Sequence, residues 1–146
     1  MTKPVTPSEW DALESPLKEA PLFPCEPRDK DLTSEADRQG QARKRVRAAG
    51  LYFAAVLNGE KRGQWALNLA RKLGAWWGFP DAIVIGPNRF IAFIEFKDGT
   101  DRLHQHQIDC LNILHRLGFP VCMARSADFA MDFLRSVGAP IRERAL

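Results

Sequence analysis

The sequence has little cysteine and no pair of cysteines at metal-binding spacing. Its three cysteines, Cys25, Cys110 and Cys122, stand far apart in a chain of 146 residues. A small, odd number without a C-x-x-C pair argues against a disulfide framework and against a cysteine-bound zinc site. This usage is typical of a reducing compartment, and we expect an intracellular, cytoplasmic protein.

Long apolar segments are also missing. No stretch approaches the roughly 20 apolar residues that a membrane-spanning helix needs. The first residues, MTKPVTPSEW, lack the basic region and apolar run of a secretory signal. We therefore expect no membrane partner, and the length suits one domain with a core of its own.

Proline is concentrated at the start of the chain, where six of the ten prolines fall within the first 27 residues. This density is incompatible with long helices or central strands. We therefore read residues 1–32 as a proline-rich arm, residues 33–138 as the folded domain and residues 139–146 as a short tail. Trp10, Leu13 and Phe23 are the large apolar residues with which the arm could dock on the domain or on a partner.

Basic residues cluster between Arg38 and Lys72, a stretch with nine Lys and Arg and a single acidic residue, Glu60. Such a local excess is the footprint expected for a polyanionic partner, although a solvated helix face has the same composition. The side chains expected to contact phosphates, with salt-sensitive binding, are Arg43, Arg47, Lys61, Arg62 and Lys72.

The apolar patterning predicts a mixed α/β domain with the order α-β-α-β-β-α-β-α, in which helices flank a mixed sheet. The first helix begins near Thr33 or Ser34, either of which can cap it, and ends at Gly50. One face of this helix carries Glu35, Gln39, Ala42, Val46 and Ala49 at helical spacing. Its arginines, namely Arg38, Arg43, Arg45 and Arg47, lie off that stripe.

Two consecutive strands, joined by a tight turn at Pro87 and Asn88, predict a hairpin. Side chains alternate along a strand, so Glu95 and Lys97 project from the same face, about 6.6 Å apart. The hairpin brings Asp81, at the start of the first strand, beside this pair. A hard divalent cation, Mg²⁺ or Mn²⁺, would relieve the repulsion between the two carboxylates. A salt-bridged strand end is the structural alternative for Glu95 and Lys97.

Further polar residues converge on the same place. Glu35 and Gln39 lie on the sheet-facing stripe of the first helix, and Gln107 faces inward from the helix that follows the hairpin. Lys97 beside a metal could orient water and offset charge at phosphorus. A histidine metal site is a weaker alternative, because His104 and His106, two apart, would point in different directions on a helix.

The segments GFPD, FIEFK and RLHQHQ, followed by VCMARS, resemble the VRR-NUC domain, a branch of the PD-(D/E)xK nuclease superfamily. The residues that match its pattern are Gly78 to Asp81, Glu95 to Lys97, Leu103 with Gln107, Val121 to Ser126, and also Glu35 and Asn58. The similarity spans about Ser34 to Gly138. Phe96 departs from the pattern, which more often has valine there, and the entry LHQHQ replaces smaller polar residues.

The resemblance implies a restriction-endonuclease-like core that hydrolyses DNA with Mg²⁺ or Mn²⁺. Asp81, Glu95 and the Phe96 carbonyl would bind the metal, and Lys97 would act as base or polariser. Glu35 and Gln107 would complete the catalytic set, and Asn58 would join the DNA-binding residues.

Small members of this kind are similar to junction-resolving enzymes, which implies a homodimer acting on branched DNA such as four-way (Holliday) junctions. A flap-type structure-specific nuclease is the second possibility. Two further hypotheses stay open: a non-catalytic nucleic-acid-binding module, and an interaction protein that recruits a partner through its proline-rich arm.

Overall fold

The computed structural model describes residues 18–57 and 63–142. They form the predicted order of elements, a four-stranded mixed sheet flanked by four helices, and the predicted fold class is confirmed. The elements are α1 (Glu35–Ala48), β1 (Tyr52–Ala55), α2 (Gln64–Lys72), β2 (Ala82–Gly86), β3 (Phe90–Phe96), α3 (Gln105–Arg116), β4 (Val121–Ala124) and α4 (Ala127–Ser136).

The strands lie in the order β1-β2-β3-β4, with antiparallel pairing from β1 to β3 and parallel pairing between β3 and β4. The predicted hairpin of β2 and β3 is present, and Asn88 and Arg89 in its turn have φ values of 59° and 63°. Two consecutive residues with positive φ are typical of the type I′ turn, whose twist matches that of paired strands.

Strand β3 is buried on both faces because helices cover both sides of the sheet. Ile94 and Phe96 belong to the core beneath α1 and α4, whereas Phe93 packs in a second core with Leu111 of α3. Side chains two positions apart on a strand share a face, so Glu95 lies on the same face as Phe93, the α3 side.

Helix α1 is capped by Ser34, whose Oγ accepts a hydrogen bond from the backbone N–H of Asp37 at 3.2 Å. Ala42, Val46 and Ala49 are buried, in line with the predicted stripe. The placement of Arg38 off the buried face was wrong, because this arginine is only 4% exposed. A carboxylate from the preceding loop, Asp29, binds its guanidinium and makes the burial tolerable.

The chain ahead of α1 packs on the exposed edge of β4. Phe23 is buried in the α3-side core, and Cys25 forms a parallel bridge with Met123. The Glu26 N–H donates to the Met123 carbonyl, and the Met123 N–H donates to the Pro24 carbonyl, both at 3.0 Å. Trp10 and Leu13 lie outside the described residues. Within residues 18–57 and 63–142, no helix is long and apolar enough to cross a membrane.

Candidate active site

Asp81 and Glu95 occupy facing positions of the hairpin. Ala82 pairs with Ile94, so the residue before Ala82 lies opposite the residue after Ile94. The Asp81 Oδ2 atom accepts a hydrogen bond from the backbone N–H of Phe96 at 2.8 Å. The antiparallel register thus brings together two carboxylates that are distant in sequence.

Gly78 allows the chain to reach this position. It has a φ of 83°, and a Cβ atom there would lie 2.4 Å from the His106 carbonyl oxygen. Any larger residue would clash with the first turn of α3, so a glycine is needed where the GFPD segment passes that helix before Asp81.

Glu95 is the most deeply buried acid of the site, at 1% exposed. Its Oε2 atom accepts a hydrogen bond from Gln107 Nε2 at 3.0 Å and lies 4.0 Å from Lys97 Nζ. Its Oε1 atom is buried and has no hydrogen-bond partner among the described residues. Loss of hydration raises the pKa of Glu95 well above its ordinary value. The charge of Asp81 and a side-chain hydrogen bond with it raise the pKa further, against an opposing effect of Lys97.

Gln107 is held in one orientation. Its Oε1 atom accepts a hydrogen bond from the backbone N–H of His104 at 2.9 Å, which leaves the Nε2 amide group to donate to Glu95. The side chain is 5% exposed. The inward orientation predicted for Gln107 is therefore observed, and its partners are a helix cap and the buried acid.

Lys97 is also buried, at 4% exposed, and its ammonium lies between two carboxylates. Besides Glu95, it contacts Asp101 Oδ2 at 3.6 Å. Asp98 shapes the loop between them, because its Oδ1 atom accepts hydrogen bonds from the N–H groups of Thr100 and Asp101 at 2.8 Å. The sequence reasoning missed Asp101. Its only signal was the turn-forming segment KDGTD after the strand.

Glu35 reaches the site from the first turn of α1. Its negative charge is one of the causes that raise the pKa of Glu95, behind burial and Asp81. Gln39, one turn further along the helix, is half-buried. Both residues lie at the end of the predicted α1 stripe where its apolar part gives way to polar side chains.

The structure describes three of the six residues predicted to bind DNA. Arg43, Arg47 and Lys72 are exposed. Arg47 lies over the Tyr52 ring at 4.4 Å and donates to the Leu51 carbonyl at 3.2 Å. The other three, Asn58, Lys61 and Arg62, lie outside the described residues.

The donor set at this end of the sheet suits a hard cation. Asp81 and Glu95 offer carboxylate oxygens. The N–H and the carbonyl of Phe96 both point toward β2, and Asp81 accepts the hydrogen bond from that N–H, so the carbonyl lies on the Asp81 side of β3. Residues 18–57 and 63–142 contain no group of three or more His, Cys, Asp or Glu able to hold a metal. A set of two carboxylates and one carbonyl fits Mg²⁺, which keeps several waters, and the Glu95 oxygen without a hydrogen-bond partner among the described residues is open to a ligand.

The histidines are arranged differently from the prediction. His104 precedes α3 as its N-cap in extended conformation, and its ring stacks on that of His106 with centroids 5.7 Å apart. The expectation that the two rings diverge was wrong because His104 does not belong to the helix.

The Phe96 side chain, where the family pattern more often has valine, is fully buried on the face of the sheet away from the acids.

Comparison with known proteins gives two matches and one negative result. A family model described as the VRR-NUC domain matches residues 30–128. A solved structure described as a VRR-NUC domain has a similar fold, with a TM-score of 0.52 and 24% identity, covering 70% of this chain and 96% of that chain. A search of curated proteins found no significant match.

Proposed function

The chain belongs to the VRR-NUC domain family, a family of restriction-endonuclease-like nuclease domains, and we propose that it is an Mg²⁺- or Mn²⁺-dependent DNA endonuclease that acts on branched DNA. The observation that carries the proposal is the buried Glu95 beside Asp81 and Lys97, with one oxygen that has no hydrogen-bond partner among residues 18–57 and 63–142. Two adjacent carboxylates repel each other, so one of them holds a proton unless a cation joins them.

The metal would be held by Asp81, Glu95 and the Phe96 carbonyl. When bound, a divalent cation would polarise the scissile phosphate and offset its developing negative charge. Gln107 would keep Glu95 in its ligating orientation, as outer hydrogen-bond partners of metal ligands commonly do. The half-buried Glu35 would add negative charge at the same place.

Lys97 would act on the reacting groups. Its ammonium is buried and restrained by Glu95 and Asp101. In a phosphodiester hydrolysis it would orient the attacking water and donate a hydrogen bond to a phosphate oxygen as charge accumulates there. The water oxygen forms the new bond to phosphorus and gives up a proton to solvent, while the bond to the leaving sugar oxygen breaks and that oxygen takes up a proton.

DNA would be bound by the exposed basic face of α1 and its neighbours. Arg43, Arg47 and Lys72 are exposed. Such contacts act on the phosphate backbone, so they predict affinity that falls with salt and carries little sequence preference. Asn58, Lys61 and Arg62 complete this proposed set.

The preference for branched DNA and the homodimeric state come from the resemblance described above. Two symmetric copies would place one site on each of two strands, as cutting a four-way junction requires. A flap-type nuclease is the alternative within the same chemistry.

A non-catalytic DNA-binding module is the second candidate. It is favoured by the absence, in the described part of the chain, of any group of three His, Cys, Asp or Glu residues able to hold a metal. Calorimetric titration with Mn²⁺ separates the two candidates, because the module would bind DNA and release no heat with the metal.

The deciding experiment offers a labelled four-way junction, a flap and a plain duplex to the protein with Mg²⁺, with Mn²⁺ and with EDTA. We expect metal-dependent cutting, highest on the junction, that is lost in Lys97→Ala and retained in Arg135→Ala, a change at an exposed arginine on α4 that is ion-paired with Asp132. If wild type and Lys97→Ala leave all three substrates equally intact, the proposed activity is refuted. Mapped cut positions then distinguish junction resolution from flap removal.

A further inference from the structure

Glu26 ties the chain ahead of α1 to the start of α4. Its Oε2 atom accepts hydrogen bonds from the backbone N–H groups of Arg125 at 2.5 Å and Ser126 at 2.8 Å. Its Oε1 atom accepts from the Ser126 hydroxyl at 2.6 Å. Three bonds to one carboxylate, made across about a hundred sequence positions, show that this segment is built into the domain.

Arg125, at 3% exposed, uses its guanidinium to hold backbone atoms. Its Nε donates to the Glu26 carbonyl at 3.1 Å. One terminal nitrogen donates to the Asp98 carbonyl and to the Asp101 carbonyl, the latter at 2.6 Å. Arg125 therefore grips both ends of the loop that follows Lys97.

Arg38 supports the same loop from α1. It binds both carboxylate oxygens of Asp29, at 2.7 and 3.0 Å, and donates to the Arg125 carbonyl at 2.9 Å. The Asp29 N–H donates to the Gly99 carbonyl at 2.9 Å. A Cβ atom on Gly99 would lie 2.3 Å from Asp29 Oδ1, so the loop and the preceding segment are in direct contact.

The loop held in this way carries Asp101, whose carboxylate lies 3.6 Å from the Lys97 ammonium. We propose that Arg125 is a positioning residue for Lys97: with Glu26 and Asp29 from the segment 21–31, it fixes the loop 98–101 so that Asp101 holds the lysine in place. This inference rests on the proposed function, since it concerns the lysine that would act on the phosphate.

The lysine needs such support because four rotatable bonds separate its ammonium from the backbone. The Lys97 Nζ atom lies 4.0 Å from Glu95 Oε2 and 3.6 Å from Asp101 Oδ2, so Asp101 makes the shorter of the two contacts. A displacement of about 1 Å at a reacting group can cost about a hundredfold in rate. Most of the segment 21–31 precedes residue 30, where the family match begins, so this chain supplies part of the support from outside the matched region.

The test measures single-turnover cleavage at saturating DNA and Mn²⁺. For Arg125→Ala and Asp101→Asn we expect a rate about ten- to a hundredfold below wild type, with unchanged affinities for DNA and for Mn²⁺. Asp101→Glu, which keeps the charge, should restore part of the rate. The matched control is Arg135→Ala, a change at an exposed, ion-paired arginine on α4, which should leave the rate unchanged.

A role in folding alone has a different signature. It would lower the fraction of active molecules, and hence the amplitude of the single-turnover phase, without lowering the rate constant. Asp101 is nearly half exposed, so Asp101→Asn should fold even if Arg125→Ala does not. The two changes should also be non-additive, because both act through Lys97.

Truncation gives an independent measurement. Removing residues 2–17 leaves Glu26, Asp29 and the contacts of Glu19 and Ala20 with α3 in place and should preserve the rate. Removing residues 2–31 should lower it and speed hydrogen exchange in the loop 98–101. A rate equal to wild type in folded Asp101→Asn and Arg125→Ala overturns the positioning role and leaves the proposed function standing. A wild-type protein that cuts no DNA overturns the proposed function, and the positioning role with it.

Discussion

Gln107 Nε2 donates a hydrogen bond to Glu95 Oε2 at 3.0 Å and so joins the first turn of α3 to the end of β3. The Oε1 atom of the same amide accepts a hydrogen bond from the His104 N–H. One side chain thus caps a helix and orients a buried acid, and the other oxygen of Glu95 has no hydrogen-bond partner in the described part of the chain.

Replacing Gln107 by alanine tests this orientation. Glu95 would lose the amide group that donates to its Oε2 atom, so we expect Mn²⁺ affinity and cleavage to fall about ten- to a hundredfold. Isothermal titration with Mn²⁺ and a cleavage assay check this. Gln105→Ala serves as control, because Gln105 lies on the same helix but bonds Asp109 and the Glu19 carbonyl. Equal effects of both changes would contradict the assignment.

Replacing Glu95 by glutamine should stabilise the metal-free protein at neutral pH by about 1 to 3 kcal/mol. Burial and Asp81 raise the pKa of Glu95 in the folded state above its ordinary value of 4.5. Stability from this group is therefore present at low pH and is lost as pH rises above the unfolded-state pKa. The measurement is urea unfolding of both proteins in EDTA across that range.

The advantage of Glu95→Gln should shrink as the pH falls toward 4.5 and below, where Glu95 becomes protonated in both states. Mn²⁺ should raise the melting temperature of wild type and leave that of the variant unchanged. A stability difference that stays constant with pH would show that charge burial is not its cause.

Replacing Arg38 by alanine should destabilise the fold by about 1 to 3 kcal/mol, because it removes a buried guanidinium and leaves the Arg125 carbonyl without that donor. Arg43→Ala, at an exposed position of the same helix, should change stability by less than about 0.5 kcal/mol. Urea unfolding of both variants tests the contrast. Similar losses in the two would place Arg38 among the solvated residues of α1.

Replacing Arg47 by alanine should weaken DNA binding without changing the fold. Because the variant has one fewer cation on this surface to neutralise a phosphate, the slope of log affinity against log salt should fall by about one. Fluorescence anisotropy on a labelled junction at several salt concentrations measures it. Arg45→Ala is the control, since Arg45 is ion-paired with Asp128 on α4. A slope that is unchanged for Arg47→Ala would remove this residue from the DNA-binding surface.

Local patterns were enough to predict the order of elements and the hairpin. Alternating apolar residues, Gly50 after α1 and the turn at Pro87 and Asn88 act over a few positions, and backbone sterics near each residue decide their effect. The facing positions of Asp81 and Glu95 followed from the hairpin alone, because antiparallel pairing relates residues by one short turn.

What the sequence by itself determined is therefore the set of helices and strands and the pair of acids that the hairpin unites. Tertiary structure alone decided that Arg38 is buried, that Asp101 contacts Lys97, and that Arg125 donates to backbone carbonyls of the loop that follows Lys97. The reason is physical: Arg38 meets the Arg125 carbonyl, 87 positions away, and no short-range periodicity marks such a partner. A buried charge takes whichever donors or acceptors the packed chain brings within reach, and only the folded molecule specifies them.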